Sequence, residues 1–330
     1  MSASTVTLSA KSESFPIEGR FTISRGSKTK VDVVIVEIND GEHTGRGECV
    51  PYARYGESID SVIELIMSLE DDVKNGLDRE SLQRKLPSGA ARNALDCAFW
   101  DLESKQKNTR AYDLAGIADM KTLTTAYTLS LETPEKMRES AEKNAHRPLL
   151  KLKLGGEGDI QRVQAVRIGA PNSRLIVDAN EGWTAESYQK LVPRLHELGV
   201  EMIEQPFPAG DDEILKTLDR PIALCADESC HDRESLKDII GKYDMINIKL
   251  DKTGGLTEAL ALKEEAEANG LSIMVGCMLA TSLAMAPAIL VAQDTAIVDL
   301  DGPLLLASDR ENALRFDESE LFPPEPELWG

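Results

Sequence analysis

The chain has 330 residues, 42% of them hydrophobic and 28% charged, which is typical of a soluble globular protein with room for two domains. Its formal net charge of −20 at pH 7 argues against nucleic acid or an anionic membrane as a partner, since both carry negative charge. Five scattered cysteines without a CxxC pair argue against a disulfide framework or a structural zinc site. With no apolar leader at the N-terminus and no apolar run of about 18 residues, these features predict a cytoplasmic protein.

The first part of the chain is predicted to form an α+β domain, because strand patterns come first and helical patterns follow. Residues 6–14, 19–40 and 41–50 have the pattern of an antiparallel meander, with a hairpin turn where IND meets GEH. Residues 58–76 and 90–108 carry apolar residues at helical spacing, so each is predicted to form a helix.

From residue 124 the pattern changes to short apolar runs that alternate with helical patterns. Eight runs have the length of buried strands: 125–131, 149–154, 174–179, 201–205, 222–227, 245–250, 272–277 and 296–300. Eight strands with seven helical patterns between them predict a closed parallel barrel rather than an open sheet. We therefore predict an α+β domain over 1–118, a barrel over 119–302, and an irregular segment over 303–330 that could return to the first domain.

Charged residues recur near the C-terminal ends of these strands, at intervals of 22 to 27 residues from Lys151 to Lys249. Since the C-terminal ends of barrel strands meet at one mouth, the pattern predicts a single site. Asp178, Glu204 and Asp227 follow three successive strands, with no cysteine ligand or suitably placed histidine nearby. Each alone could be an ordinary loop acid, but three carboxylates together favour a hard cation, and Mg²⁺ fits best.

Lysines are predicted on two opposite walls of the barrel. Lys151 and Lys153 alternate with leucines, so both point inward if the leucines face the helices. Lys249 ends the sixth strand, four strands round from the second. A base needs a pKa near the working pH, and we expect a neighbouring ammonium group and the cation to lower the lysine pKa from its usual value of about 10.4. Asp251 and Lys252, in the loop that follows, could each be an ordinary surface charge.

Two bases that face each other across a metal-bound substrate predict a specific reaction. One base removes a proton alpha to a carboxylate, the cation stabilises the enediolate, and the other base returns a proton to the opposite face. This is 1,1-proton transfer, which means racemisation or epimerisation.

The motifs around these residues also resemble a known superfamily. KLK, VDAN, IEQP, ADES and NIKLDKTGG are similar to the muconate-cycloisomerase-like subgroup of the enolase superfamily over most of the chain. The resemblance implies an N-terminal α+β capping domain over a modified TIM barrel, (β/α)₇β, and Mg²⁺-assisted enolisation. It implies that Lys153 and Lys249 are the two bases and that Lys151 stabilises the enolate oxygen. The three carboxylates above would hold Mg²⁺.

Within the subgroup, FTISRGS, GECVPYARYGES, GAARNALDCAFWDL, GCMLATS and DLDGP resemble the bacterial L-Ala-D/L-Glu epimerases. This resemblance implies a dipeptide substrate, epimerised at its C-terminal residue, in the salvage of cell-wall peptides. Asp299 and Asp301 would bind its ammonium end. Arg25 would bind the glutamate side-chain carboxylate, and Thr128 would be a further substrate contact. On the residues alone, Arg25 could be a surface charge and Asp299 a buried structural acid paired with a lysine.

Other functions on the same scaffold stay open. An N-succinylamino acid racemase, an o-succinylbenzoate synthase or a cycloisomerase acts on a substrate without the amino terminus that DLDGP would bind. A non-catalytic dipeptide- or metal-binding protein would not need two facing bases. We expect a small dipeptide as the partner, neither nucleic acid nor membrane, and the sequence leaves a homo-oligomer open.

Overall fold

The computed structural model describes residues 6–330 and begins with an antiparallel sheet. Its strands, in spatial order, are β1 (Thr7–Ile23), β2 (Gly26–Asn39) and β3 (Thr44–Cys49). Alternate residues of β2 enter two different cores, because successive side chains of a strand point to opposite faces. Val34 and Val36 join the core beneath the N-terminal helices, whereas Val33 and Ile35 join the core of the barrel. The sheet therefore lies between these helices and the barrel.

Five helices complete this N-terminal unit: α1 (Ile59–Met67), α2 (Glu70–Lys74), α3 (Arg79–Lys85), α4 (Ala90–Lys107) and α5 (Ala111–Leu114). The α+β prediction is confirmed, but the single helix predicted over 58–76 is wrong. Helix α1 ends at Met67 with Ser68 as its C-cap, and Leu69 N donates to Ile66 O (3.1 Å) in a tighter turn before α2 begins. Helix α4 packs closely on β3, where Gly45 and Gly47 leave no room for a Cβ against its backbone.

A short strand, β4 (Leu123–Thr124), leads into the second sheet. The eight strands of that sheet are β5 (Tyr127–Leu129), β6 (Leu149–Lys153), β7 (Arg174–Asp178), β8 (Val200–Glu204), β9 (Ala223–Ala226), β10 (Met245–Ile248), β11 (Ser272–Gly276) and β12 (Ile297–Asp299). Each pairs in parallel with the next along the chain, and a parallel bridge between Thr125 and Val298 joins the two ends. The predicted closed parallel barrel is confirmed.

The helices after β5 are α6 (Pro134–Lys143), α7 (Asp159–Gly169), α8 (Ala185–Glu197), α9 (Leu236–Ile239), α10 (Leu250–Thr253), α11 (Leu256–Ala268) and α12 (Ser282–Val291). The connection from β8 to β9 departs from the prediction of a helix between every pair of strands. It holds only a 3₁₀ turn at Glu213–Lys216. Pro206 and Pro208 come just before it, and proline lacks the N–H that a helix interior needs.

The C-terminal residues lie against the N-terminal unit. After β13 (Phe316–Asp317) and β14 (Glu320–Leu321), which extend the sheet of β4, the chain reaches α4. Trp329 is fully buried, and its indole N–H donates to Cys97 O (3.0 Å). The domain limits at residues 118 and 302 stay a prediction. No helix among residues 6–330 has both the length and the apolar character needed to cross a membrane.

The inside of the barrel changes from apolar to polar along the strands. The apolar layer consists of Ala126, Leu149, Ile176, Met202, Cys225, Met245, Met274 and Ile297. Residues two apart in a strand share a face, so the next inward positions are Thr128, Lys151, Asp178, Glu204, Asp227, Asn247, Gly276 and Asp299. The fold thereby brings a ring of polar side chains to the C-terminal mouth of the barrel.

Candidate active site

Two buried ion pairs face each other across the mouth. Lys153 Nζ, at the end of β6, donates to Asp178 Oδ2 (2.6 Å) on the neighbouring strand. Lys249, directly after β10, donates to Asp227 Oδ2 (2.6 Å). Strands β6 and β10 are four positions apart in an eight-stranded barrel, so the two lysines stand on opposite walls.

Lys151 lies between these pairs and is only 1% exposed. Its ammonium group donates to Asp299 Oδ2 (2.7 Å) and lies 2.6 Å from Glu204 Oε2 and 3.8 Å from Asp178 Oδ2. The contact with Glu204 is an ion pair without hydrogen-bond geometry, since Glu204 Oε2 has no hydrogen-bond donor in residues 6–330. Asp299 is therefore buried and paired with a lysine, and its role in binding the substrate stays a prediction.

The carboxylates raise the pKa of Lys151 and of Lys249. Burial alone would lower the pKa of Lys249, but the negative charges of Asp227 and Glu204 outweigh burial and raise it well above its usual value. The pKa of Lys151 is raised in the same way, chiefly by Asp299 and Glu204. This effect is opposite to the lowering expected from a neighbouring ammonium group, because Lys151 and Lys249 each face more carboxylates than ammonium groups.

The donor atoms of the mouth fit a hard cation. The three expected ligands, Asp178, Glu204 and Asp227, are all buried and offer only oxygen. Buried oxygens that lack a donor in the described chain include Asn180 Oδ1 and Asn247 Oδ1, and each such atom costs about 1–3 kcal/mol. A cation would remove that cost. No three carboxylate, thiol or imidazole groups within residues 6–330 stand at the spacing of a shared ion, and each of the three expected ligands contacts a lysine.

A small cavity of about 30 Å³ opens beside the last two strand-end acids. Asp301 Oδ2 accepts from Thr128 N (2.6 Å), and both residues line the cavity together with Asp299. Burial and the charge of Asp299 raise the pKa of Asp301 to about 7. Asp299 Oδ1 is buried and has no hydrogen-bond donor among the described residues. Two adjacent acids, one with an unpartnered oxygen, suit a cationic group in this cavity.

Arg25 reaches the mouth from the β1–β2 hairpin of the N-terminal unit. Its Nη2 donates to Glu228 Oε1 (2.8 Å) and to Tyr52 Oη (3.0 Å), while Nη1 donates to Asn180 O (3.2 Å) and lies 3.4 Å from Glu181 Oε2. Burial would lower the pKa of Arg25, but Glu228 raises it above its usual value. The guanidinium group is thus a fixed positive charge at the edge of the mouth rather than a free surface charge.

Two polar residues of the mouth, Asn247 and Gln205, were not predicted from the sequence, and Lys252 was expected to be a possible surface charge. Asn247 Nδ2 donates to Glu204 Oε1 (2.7 Å), and its place two residues before Lys249 on one strand was a usable signal. Gln205 Oε1 accepts from Asp227 N (2.9 Å). Lys252 is buried and donates to Asp227 Oδ1 (2.6 Å), and nothing in its loop sequence indicates this.

The chain is similar to known proteins over nearly its whole length. Residues 5–116 match the mandelate racemase/muconate lactonizing enzyme N-terminal domain, and residues 134–325 match a family model described as enolase C-terminal domain-like. The chain is 49% identical to the L-Ala-D/L-Glu epimerase of Escherichia coli strain K12, over 94% of this chain and 97% of that protein. It is 44% identical to the N-acetyl-D-glutamate racemase of a Pseudoalteromonas species, over 90% and 95% respectively.

Two solved structures show the same fold. An enolase family member from Agrobacterium tumefaciens with homology to dipeptide epimerases, bound to sodium and L-Ala-L-Glu, gives a TM-score of 0.97 at 53% identity and covers 98% of this chain and 100% of that chain. A dipeptide epimerase from Enterococcus faecalis V583, complexed with Mg and L-Leu-L-Tyr, gives a TM-score of 0.90 at 29% identity, with 97% of each chain covered.

Proposed function

Because the chain belongs to the mandelate racemase/muconate lactonizing enzyme family of the enolase superfamily, we propose that it is a Mg²⁺-dependent dipeptide epimerase acting on L-Ala-D/L-Glu. The reaction is 1,1-proton transfer at the α-carbon of the C-terminal residue. The observation that carries the proposal is the pair Lys153 and Lys249, two buried ammonium groups on opposite walls of one mouth. Binding alone would not need two facing bases.

Three lysines would divide the proton chemistry. Lys153 and Lys249 would each serve one face of the α-carbon, one taking the proton and the other returning a proton to the opposite face. Lys151 would keep its proton and would stabilise the negative charge on the carboxylate oxygen as the α-proton leaves.

The three strand-end carboxylates would hold Mg²⁺ through Asp178, Glu204 and Asp227. Bound there, the cation supplies positive charge that stabilises the developing enediolate. A purely oxygen donor set supports this assignment, as do the neighbouring Asn180 Oδ1 and Asn247 Oδ1, which are buried without a donor in residues 6–330.

The two ends of the substrate would be recognised by opposite charges. Asp299 and Asp301 would accept hydrogen bonds from the ammonium group of alanine, and Thr128 would hold Asp301 in place through its backbone N–H. Arg25 would bind the side-chain carboxylate of glutamate, exchanging its present contact with Glu228 for one with the substrate.

A second substrate class is an N-acylated glutamate, since one relative is an N-acetyl-D-glutamate racemase. An N-acyl group brings no positive charge to the cavity beside Asp299 and Asp301. Two adjacent buried acids would then lack a cationic partner beyond Lys151, which is costly. The pair of acids therefore favours the dipeptide.

Proton NMR in D₂O with Mg²⁺ tests the proposal. With L-Ala-L-Glu, the α-proton signal of glutamate should disappear while the signals of the L,D diastereomer grow. Removal of Mg²⁺ with EDTA should stop both changes. N-acetyl-L-glutamate should exchange at least about a hundredfold more slowly, because an unpaired buried charge costs about 3 kcal/mol. No exchange with L-Ala-L-Glu, or faster exchange with the N-acetyl compound, would reject the dipeptide assignment.

We further propose that the dipeptide comes from cell-wall peptides and that the protein acts in the cytoplasm. All five cysteines are free, and four of them are buried, which supports a reducing compartment.

A further inference from the structure

The segment Lys249–Gly255, with the sequence KLDKTGG, is here called the base loop because it begins with one of the two proposed bases. Its backbone turns at once into α10. Lys249 O accepts from Lys252 N (2.9 Å) and from Thr253 N (3.0 Å). Any group that fixes α10 therefore also fixes the backbone from which the Lys249 side chain extends.

The N-terminal unit holds the base loop through α4. Arg92 Nη2 donates to Thr253 O (2.6 Å), and Arg92 Nε donates to Gly254 O (3.1 Å). One residue on, Asn93 Nδ2 donates to Asp251 Oδ1 (2.8 Å). Arg92, Asn93 and Asp251 are all buried, so water does not compete for these hydrogen bonds.

The two glycines of the base loop make this contact possible. Gly254 and Gly255 have φ of +76° and +111°, values that residues with a side chain rarely adopt. A Cβ on Gly254 would collide with the Arg92 guanidinium, and one on Gly255 would come within 2.5 Å of the Asp96 side chain. The glycine pair therefore serves the close approach of α4.

The barrel holds the same loop from the other side. Lys252 Nζ donates to Asp227 Oδ1 (2.6 Å), Asp227 O (2.5 Å) and Asn247 O (2.9 Å), so all three of its protons are used. Asp227 Oδ2 is left to face Lys249. The base loop is thus clamped between α4 and the strand ends.

We propose that Arg92 and Asn93 are positioning residues for Lys249, so that helix α4 of the N-terminal unit sets the geometry of one of the two bases. The inference rests on the proposed function, in which Lys249 serves one face of the α-carbon. Neither residue touches the mouth. They act through α10, and a displacement of about 1 Å in a catalytic group is enough to cost about a hundredfold in rate.

The test compares α-proton exchange in D₂O for L-Ala-L-Glu and L-Ala-D-Glu, using full-length Asn93→Ala protein with Mg²⁺. The Lys249→Arg variant identifies which epimer loses its proton to Lys249. We expect Asn93→Ala to slow exchange from that epimer by about tenfold or more and from the other epimer by no more than about twofold. Equal slowing of both epimers, or no slowing, would overturn the proposal.

A matched control is Thr257→Val, which removes a different contact of α4 with the barrel. Trp100 Nε1 donates to Thr257 Oγ1 (2.9 Å), just beyond the base loop. This variant should leave exchange from both epimers within about twofold of the wild type. The same selective loss in the control would show that any disturbance of α4 has this effect, against a specific role for Asn93.

Arg92→Lys provides a second variant if Asn93→Ala does not fold. Lysine keeps the positive charge but lacks the planar guanidinium group that donates to two carbonyl oxygens at once. Exchange from the same epimer should therefore fall by about threefold or more. Symmetric loss here would again contradict the proposal. If the wild type exchanged neither epimer, the proposed function itself would fail, and the positioning role with it.

Discussion

At the scale of single residues, the mouth of the barrel is a set of charges that neutralise one another. Lys153 is paired with Asp178, and Lys249 with Asp227, each at 2.6 Å and out of solvent. Removing one member of a buried pair takes a partner away from the remaining charge, and breaking such a pair typically costs about 3–5 kcal/mol. Substitutions of these four residues would therefore change stability as well as chemistry.

Asp299 is a cleaner probe of substrate recognition. Its partner Lys151 keeps Glu204 and Asp178 beside it when the charge of Asp299 is removed. Asp299 also has an oxygen, Oδ1, without a donor in the described chain, which is free for an ammonium group.

We predict that Asp299→Asn lowers kcat/KM for L-Ala-L-Glu by about 30- to 100-fold, because a hydrogen bond to a charged group contributes about 2–3 kcal/mol. Mg²⁺ affinity, measured by isothermal titration calorimetry, should change by less than about threefold, since Asp299 is not among the expected ligands. Equal losses of metal affinity and turnover would mean that Asp299 only holds Lys151 in place.

At the scale of elements, the β1–β2 hairpin and the base loop bring groups of the N-terminal unit to the barrel. The base loop carries a buried acid, Asp251, which accepts from Asn93 Nδ2 and from Val50 N (3.0 Å). Burial raises the pKa of Asp251 to about 7, and the nearby charges of Glu57 and Glu48 add to the effect.

This raised pKa predicts a pH-dependent stability. Unfolded, Asp251 loses its proton near pH 4, whereas in the folded protein it does so near pH 7. The folded state therefore binds more protons between these values, and the free energy of unfolding falls as pH rises through this window. The free energy of unfolding of Asp251→Asn minus that of wild type should therefore be about 2 kcal/mol larger at pH 8 than at pH 5. Urea unfolding at both pH values measures this, and a difference independent of pH would contradict it.

The secondary-structure element on which each site residue lies determines whether the sequence could predict that residue's position. Strand periodicity was enough to place Lys151, Asp178 and Glu204, because a residue two positions beyond an inward apolar residue also points inward. Lys252 could not be placed in this way. It lies in the short helix α10, beyond the end of β10. Helix α4, which packs on this segment, is distant in the sequence, since 162 residues separate Arg92 from Gly254.

The raised pKa of Lys151 could not be predicted from the sequence, for a physical reason. The sequence showed Lys151 and Lys153 as neighbours, which suggested repulsion between ammonium groups. The fold instead places carboxylates from other strands next to Lys151. Their attraction for its positive charge outweighs burial, which alone would lower the pKa of Lys151. The sign of the pKa shift of Lys151 depends on distances between side chains of different strands. Those distances are set by the closed barrel and cannot be obtained from the sequence.

At the scale of the whole molecule, the C-terminal residues join the N-terminal unit to the barrel. Arg46 on β3 donates to Leu328 O (2.5 Å), and Gly330 N donates to Asp101 Oδ1 (2.8 Å) on α4. Trp329 fills the space between these contacts and is 0% exposed. Helix α4, which holds the base loop, is therefore held in turn by the last residues of the chain.

We predict that Trp329→Ala lowers the free energy of unfolding by about 3–5 kcal/mol, because it removes a large buried ring and leaves a cavity against α4. Ile168→Ala, on the 62% exposed Ile168, should change it by less than about 1 kcal/mol. Urea unfolding followed by circular dichroism compares the two variants. A similar loss in both would mean that Trp329 contributes little to the packing of α4.

The two-base mechanism is tested most directly by α-proton exchange in D₂O with Lys153→Arg and Lys249→Arg, each given L-Ala-L-Glu and L-Ala-D-Glu separately. Because the two lysines stand on opposite walls, each variant should lose epimerisation yet keep exchange from one epimer, and the surviving epimer should differ between the two variants. Loss of exchange from both epimers in either variant, or epimerisation that persists in one of them, would contradict two lysine bases facing each other across the mouth.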